Sequence, residues 1–254
     1  MSRRPRPARP APAPQEIRQP WLDALRGLAV LLMIAYHFGF DLDHLGWIEQ
    51  DINHSPAWQA ARTLILGSFL YAVGASHALA EAHATPSVHL QRLARIAAAA
   101  LLVTLGSALM FPASTIWFGV LHAIVAMSLL LLALPTALRQ RPAPMLLLAT
   151  SIILVGNLFA HPLFDSPTLA WIGLMSHKPQ TEDYVPLMPW AGLCLIGYSL
   201  TRHGLESGRI RPNLGHTLPG WLQMTGRHSL AIYLLHQPLL LGLLMPLSAA
   251  LKPA

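Results

Sequence analysis

LDALRGLAVLLMIAYHF, residues 22–38, sets the reading of the whole chain. Between Arg26 and His37 lie ten residues without a charge. An α-helix turns about 100° and rises about 1.5 Å per residue, so eleven steps make about 1100°, about 20° past three full turns. The two side chains therefore share one face, roughly 16 Å apart along the axis. They cannot touch. Val30 and Met33 lie on the stripe between them, and Asp23 sits one turn before Arg26, where it can orient the guanidinium. A cation at one end suits a phosphate-bearing ligand. An imidazole at the other suits proton transfer, because it titrates near neutrality. The apolar stripe suits an extended, uncharged arm. A nucleotide-linked acyl thioester has that shape: phosphates, a long pantetheine arm, then the reactive carbonyl. Taken singly, Arg26 reads as an anchor that snorkels to the membrane surface and His37 as an interfacial histidine. Together on one face of so apolar a helix they read as functional, because ionisable groups within spans are costly.

The rest of the chain has the composition of a membrane protein. Of 254 residues, 54% are hydrophobic and only 11% are charged, against about 25% in an average soluble domain. Seven segments are apolar over roughly the 17–25 residues that cross a bilayer: about 22–40, 57–80, 92–111, 115–134, 144–160, 185–201 and 228–249. The expected fold is all-α, a polytopic bundle of about seven transmembrane helices. The stretch 167–176 is too short and reads as interfacial or re-entrant. The net charge of +6 does not point to nucleic acid, because the cations sort by loop. Arg3, Arg4, Arg6, Arg9 and Arg18 precede the first span, Arg92 and Arg95 follow the second, Arg139 and Arg141 the fourth, and Arg202, Arg209 and Arg211 the sixth. The opposite loops hold only Lys178 and Lys252, with most of the acids. The positive-inside rule puts the N-terminus in the cytoplasm and the C-terminus outside, which an odd number of spans requires. The compactness suits a bacterial inner-membrane protein. Residues 1–20 read as a disordered basic tail and 21–250 as one transmembrane domain with an uncleaved first span. The single cysteine, Cys194, excludes an internal disulfide and a cysteine-based metal site. Oligomeric state is not set by the sequence, and a homodimer is compatible with it.

Other ionisable residues gather at the expected mouths. The outer loop 41–56 carries Asp41, Asp43, His44, Glu49, Asp51 and His54. Its spacings match no standard zinc pattern, so no metal is expected. An acidic mouth suits an amine-bearing acceptor, and Asp41 or Asp51 could orient a catalytic histidine. Arg62, in the second span, needs a partner, with Asp41 or Asp51 as candidates. DYVPLMPW, residues 183–190, is either a helix entry with Trp190 as an interfacial belt residue, or an acceptor mouth formed by Asp183 and Tyr184. In GRHSLAIYLLHQP, 226–238, Arg227 is placed for a second phosphate contact. His236 lies near the kink expected at Pro238, lining a cavity or packing against the first helix.

Four stretches together resemble a known family: LDALRGLAVLLMIAYHF, WFGVLHAIVA at 117–126, DYVPLMPWAGLCLIGYSL at 183–200 and GRHSLAIYLLHQPLL at 226–240. The first looks like the arginine–histidine motif of membrane-bound acyltransferases. The set is similar to the heparan-α-glucosaminide N-acetyltransferase catalytic domain family in a compact form, over residues 20–245. The resemblance implies that acetyl-CoA binds from the cytoplasmic side and that the acetyl group passes to an amine or hydroxyl of a sugar or glycan acceptor outside. It implies a catalytic histidine in the loop after the first motif, where His54, followed by Trp58, is the positional match. It also makes His122 a wall of the acyl-donor pocket. The lysosomal relatives carry asparagine in the place of His37. The base, or transient acyl carrier, is thus His37 by spacing or His54 by position. Arg26 and Arg227 are the expected donor-phosphate contacts. Two rivals from other classes remain: a proton-coupled transporter or permease, for which no matching broken-helix halves are seen, and a non-catalytic membrane partner.

Overall fold

The computed structural model describes residues 19–52, 54–83, 86–211 and 214–251. The basic tail through Arg18 and the terminal Lys252 lie outside the described residues. The described chain is helical: α1 Pro20–His44, α2 Pro56–His83, α3 Pro86–Met110, α4 Val120–Ala133, α5 Thr136–Arg139, α6 Pro142–Leu158, α7 Trp190–Glu206, α8 Gly220–Arg227 and α9 Ser229–Leu251. α1, α2, α3 and α6 begin on proline. Its fixed φ and missing N–H suit the first helical turn and no later one. α1 ends where Gly46, at φ 67°, turns the chain back.

Four helices are long and apolar enough to cross a membrane: Pro20–His44, Pro56–Glu81, Ser87–Met110 and Ser229–Leu251. The protein is an integral membrane protein. α4 and α6 are apolar but span only 14 and 17 residues. Their boundaries differ from the sequence expectation for local reasons. Residues 115–118 do not join α4 because this stretch is bonded to the segment before α7, with a bridge between Phe118 and Tyr184. Phe118 accepts from the Val185 N–H at 3.1 Å, and Ser114 accepts from that of Glu182 at 3.0 Å. α7 starts five residues later than position 185, because Pro186 and Pro189 hold the chain before it out of the helix. The stretch 167–176 forms only a short 3₁₀ turn, Ala170–Ile172.

α7 is the centre of the bundle. Ala191, Cys194, Leu195, Tyr198 and Thr201 are buried along it, and α2 supplies Leu70 and Val73 to the same core, while its Ala72 and Ala75 pack in a second cluster with Leu22 of α1. The two helices meet at glycines. A Cβ on Gly74 would strike the Cys194 carbonyl, and one on Gly197 would strike the backbone of Tyr71. Without those Cβ atoms the backbones touch directly, and small residues are what let lipid-embedded helices approach so closely. Leucines on the outward faces of α3, α6 and α9, such as Leu109, Leu158 and Leu239, stay exposed. On α3 and α9, two of the helices able to cross a membrane, such leucines carry no penalty in hydrocarbon.

Candidate functional site

The ionisable groups collect at two ends of α1. At one end Asp23 binds two arginines. Its Oδ1 meets Arg26 at 3.5 Å and its Oδ2 accepts from Arg227 Nε at 3.2 Å. Arg26 also donates to the buried Ser76 hydroxyl on α2. Arg92 is close enough to act on Arg26 electrostatically, and on His77, which lies near His89 and Arg139 as well. His77 meets Ser128 of α4 at 2.9 Å, and its ring stacks on His89 at 6.0 Å. Beside this cationic group Glu81 ties three elements together. It receives Arg139 Nη1 at 2.9 Å, Arg202 Nη1 at 3.6 Å and the Tyr198 hydroxyl.

The other end of α1 brings together most of the remaining candidates. His37 lies edge-on to His236 of α9, with ring centroids 4.8 Å apart. One turn on, Asp41 is buried and its Oδ1 accepts from Gln237 Nε2 at 2.8 Å. Asp183 is near enough to interact with both His37 and His122. Its Oδ2 accepts from the Val120 N–H at 2.8 Å and from the Tyr233 hydroxyl at 3.4 Å. The local reason is plain: Gly119, at the N-cap of α4, has no side-chain oxygen, so a carboxylate from the segment before α7 takes that place. Burial raises the pKa of Asp183, against the lowering effect of the Val120 N–H. Burial also pushes the Tyr184 phenol up to about 12, so it stays protonated and donates to the Ala170 carbonyl at 2.7 Å.

Several candidates land elsewhere or are already occupied. His54 stands in the exposed loop, paired with Asp51 at 2.8 Å, with 84% and 65% of the two side chains exposed. Hydrogen bonding from His54 holds the Asp51 carboxyl below its usual range. Asp41 and Asp51 thus have other partners than the exposed Arg62, which lies instead near Tyr36. His122 has both ring nitrogens in use. Nδ1 accepts from the Gly119 N–H at 3.3 Å, and Nε2 faces Thr104 Oγ1 at 3.1 Å. Trp190 packs against the central core at the start of α7. Val30 and Met33, on the stripe between Arg26 and His37, are buried at 0% and 5% exposure, so that stripe is packed shut. Among the described residues, no group of three His, Cys, Asp or Glu side chains could hold a metal ion.

The sequence reading missed His77, Glu81, Tyr233 and Gln237. The signal was present for the first two, since GASHALAE at 74–81 puts an imidazole and a carboxylate into an otherwise apolar helix. Tyr233 and Gln237 gave no comparable signal, because their polar atoms matter only through what faces them. The chain matches the family model described as heparan-alpha-glucosaminide N-acetyltransferase, catalytic, over residues 18–238. No curated protein and no solved structure matches it.

Proposed function

Because the chain belongs to the heparan-alpha-glucosaminide N-acetyltransferase catalytic family, whose members are membrane acetyltransferases, we propose that it moves an acetyl group across the membrane. The donor is acetyl-CoA from the cytoplasmic side. The acceptor is an amine or hydroxyl of a sugar or glycan on the outer side. The observation that carries this is the polarity of α1. Arginines gather at one end around Asp23, and two histidines with a buried carboxylate gather at the other. The separation of roughly 16 Å suits a donor whose phosphates and thioester sit at opposite ends.

In this proposal Arg26 and Arg227 hold donor phosphates, with Arg92, His77 and His89 adding positive charge around them. The arm lies along α1, which requires α1 and α9 to part around Val30 and Met33. His37 takes the proton from the acceptor. Its Nδ1 is tied to the Met33 carbonyl at 2.9 Å, which leaves Nε2 as the basic atom. Asp41 and His236 stand behind it, and Asp183 and Trp190 line the acceptor side. The Asp51–His54 pair meets the acceptor at the mouth. α4, α6 and α7 cross the membrane with the four longer helices, leaving the N-terminus inside and the C-terminus outside a bacterial inner membrane. The test is calorimetry of acetyl-CoA on the detergent-purified protein. Saturable binding that Arg26→Ala weakens by about tenfold or more is expected, the loss of one charge-assisted contact. A folded protein that binds no acetyl-CoA refutes the proposal and favours a transporter or a non-catalytic partner.

A further inference from the structure

The cluster around His37 holds buried lone pairs that no donor meets among the described residues. His37 Nδ1 faces the Met33 carbonyl at 2.9 Å, and His236 Nδ1 faces the Tyr233 carbonyl at 2.6 Å. A carbonyl oxygen only accepts, so each Nδ1 carries hydrogen and each neutral ring keeps a lone pair on Nε2. The rings meet nearly perpendicular, 82° between planes. His236 Nε2 is buried with no hydrogen-bond partner among the described residues, and the same holds for Asp41 Oδ2 and Gln237 Oε1. Asp41 and His236 are only 2% and 8% exposed. Buried polar atoms are nearly always paired, and a group of unpaired acceptors around one carboxylate calls for hydrogen to be supplied.

We propose that His37 and His236, with ring centroids 4.8 Å apart, form one coupled proton-holding unit, in which a proton taken up on one Nε2 keeps a second off the other ring, with Asp41 as the buried counter-charge and Gln237 fixing that carboxylate. Other ionisable groups face the unit without replacing it. Asp183, before α7, already accepts from Val120 and Tyr233. His44 lies beyond Asp41 on α1, His122 of α4 lies beyond Asp183, and Arg62 of α2 acts on Tyr36. His236 is a positioning residue: it acts through His37 and not on the reacting atoms.

The role in transfer rests on the acyltransferase function proposed above. The acceptor lone pair forms the new bond to the acyl carbon, and its N–H or O–H proton goes to His37 Nε2. The carbon–sulfur bond breaks with its electron pair on sulfur. The held proton then passes to that thiolate, so one proton leaves the acceptor and one arrives on the thiol. The unit keeps the proton between the two events, away from bulk water.

The experiment reads protonation apart from activity. Infrared pH-difference spectra of the full-length protein in detergent, between pH 5 and 9, follow imidazole and carboxyl bands. The wild type is expected to show a coupled histidine transition that His236→Gln moves by about one pH unit or more, the size of a direct neighbour effect. Asp41→Asn moves it to lower pH, and His44→Ala leaves it in place. His37 titrating at one midpoint in the wild type, His236→Gln and Asp41→Asn overturns the proposal. With acetyl transfer as the second readout, His236→Gln shifts the acid limb of the kcat/KM profile while the donor KM stays within about twofold. A coupled transition in a protein that transfers no acetyl group supports the proton unit and refutes the acyltransferase function separately.

Discussion

Replacing Gly119 with alanine measures how firmly the segments before α4 and α7 hold one another. A Cβ at 119 would collide with the Asp183 carboxylate, and Ile116 Cγ2 stands 2.8 Å away on another side. The carboxylate cannot retreat without loosening its bonds to the Val120 N–H at 2.8 Å and the Tyr233 hydroxyl at 3.4 Å. Losing a hydrogen bond to a charged group costs about 1.5–3 kcal/mol, and overpacking adds about 1–3 kcal/mol. Partial relaxation brings the expected loss to about 3 kcal/mol, which for a chain of this size lowers Tm by roughly 6–12 °C. Asp183→Ala loses the same bonds by a different route. In the double variant the carboxylate is gone, and the next close atom to a Cβ at 119 is the Ile116 methyl, which can rotate away. The double variant is therefore expected to melt within about 2 °C of Asp183→Ala alone, a strongly non-additive pair. Tryptophan emission during heating in detergent reads all four proteins. Additive losses, or a Gly119→Ala protein as stable as the wild type, would show that these side chains are not in contact.

Acetyl transfer should separate the histidine of the first motif from that of the loop after it: His37→Ala lowers kcat by about 100-fold or more, the scale of a lost general base. His54→Ala raises the acceptor KM and keeps kcat, and equal kcat losses would sink that division. Glu81→Gln removes the charge shared by Arg139 and Arg202 while keeping the shape, and is expected to cost about 2 kcal/mol, read as a lower Tm; an unchanged Tm means the three groups contribute nothing to stability. Asp165 is held below the usual carboxylate range by the Ser176 hydroxyl at 2.6 Å and its N–H at 2.7 Å. A depressed folded pKa stabilises above the unfolded value and is lost as pH falls through the folded one. Protease resistance of residues 159–189 should therefore hold from pH 8 to about 5 and fall only below about 4, and Asp165→Asn should abolish that acid step; a loss already complete at pH 6 contradicts it.

The long apolar helices were legible because their signal is local. Proline at Pro20, Pro56 and Pro142 marks a start whatever the neighbours do, and twenty apolar residues in a row declare themselves without a partner. α4 and α7 were harder to bound. Their N-terminal ends are set by one segment pairing with another some 65 residues away, Val185 with Phe118, and no window along the chain contains both. Arg26 and His37 were legible as a pair because both lie on one helix, where a fixed rotation per residue fixes the shared face.

The sequence by itself therefore determined the class of protein, the membrane, the family motifs and the shared face of Arg26 and His37 on α1. Tertiary structure decided which groups meet. It put His236 beside His37, Gln237 on Asp41 and Asp183 on α4, left His54 in an exposed loop, and closed Val30 and Met33 inside the bundle. Periodicity is a property of one helix, while a hydrogen bond between helices depends on how the glycine seams of α2 and α7 and the α1–α9 contact set their distances. That information is spread over the chain and becomes specific only when the bundle closes.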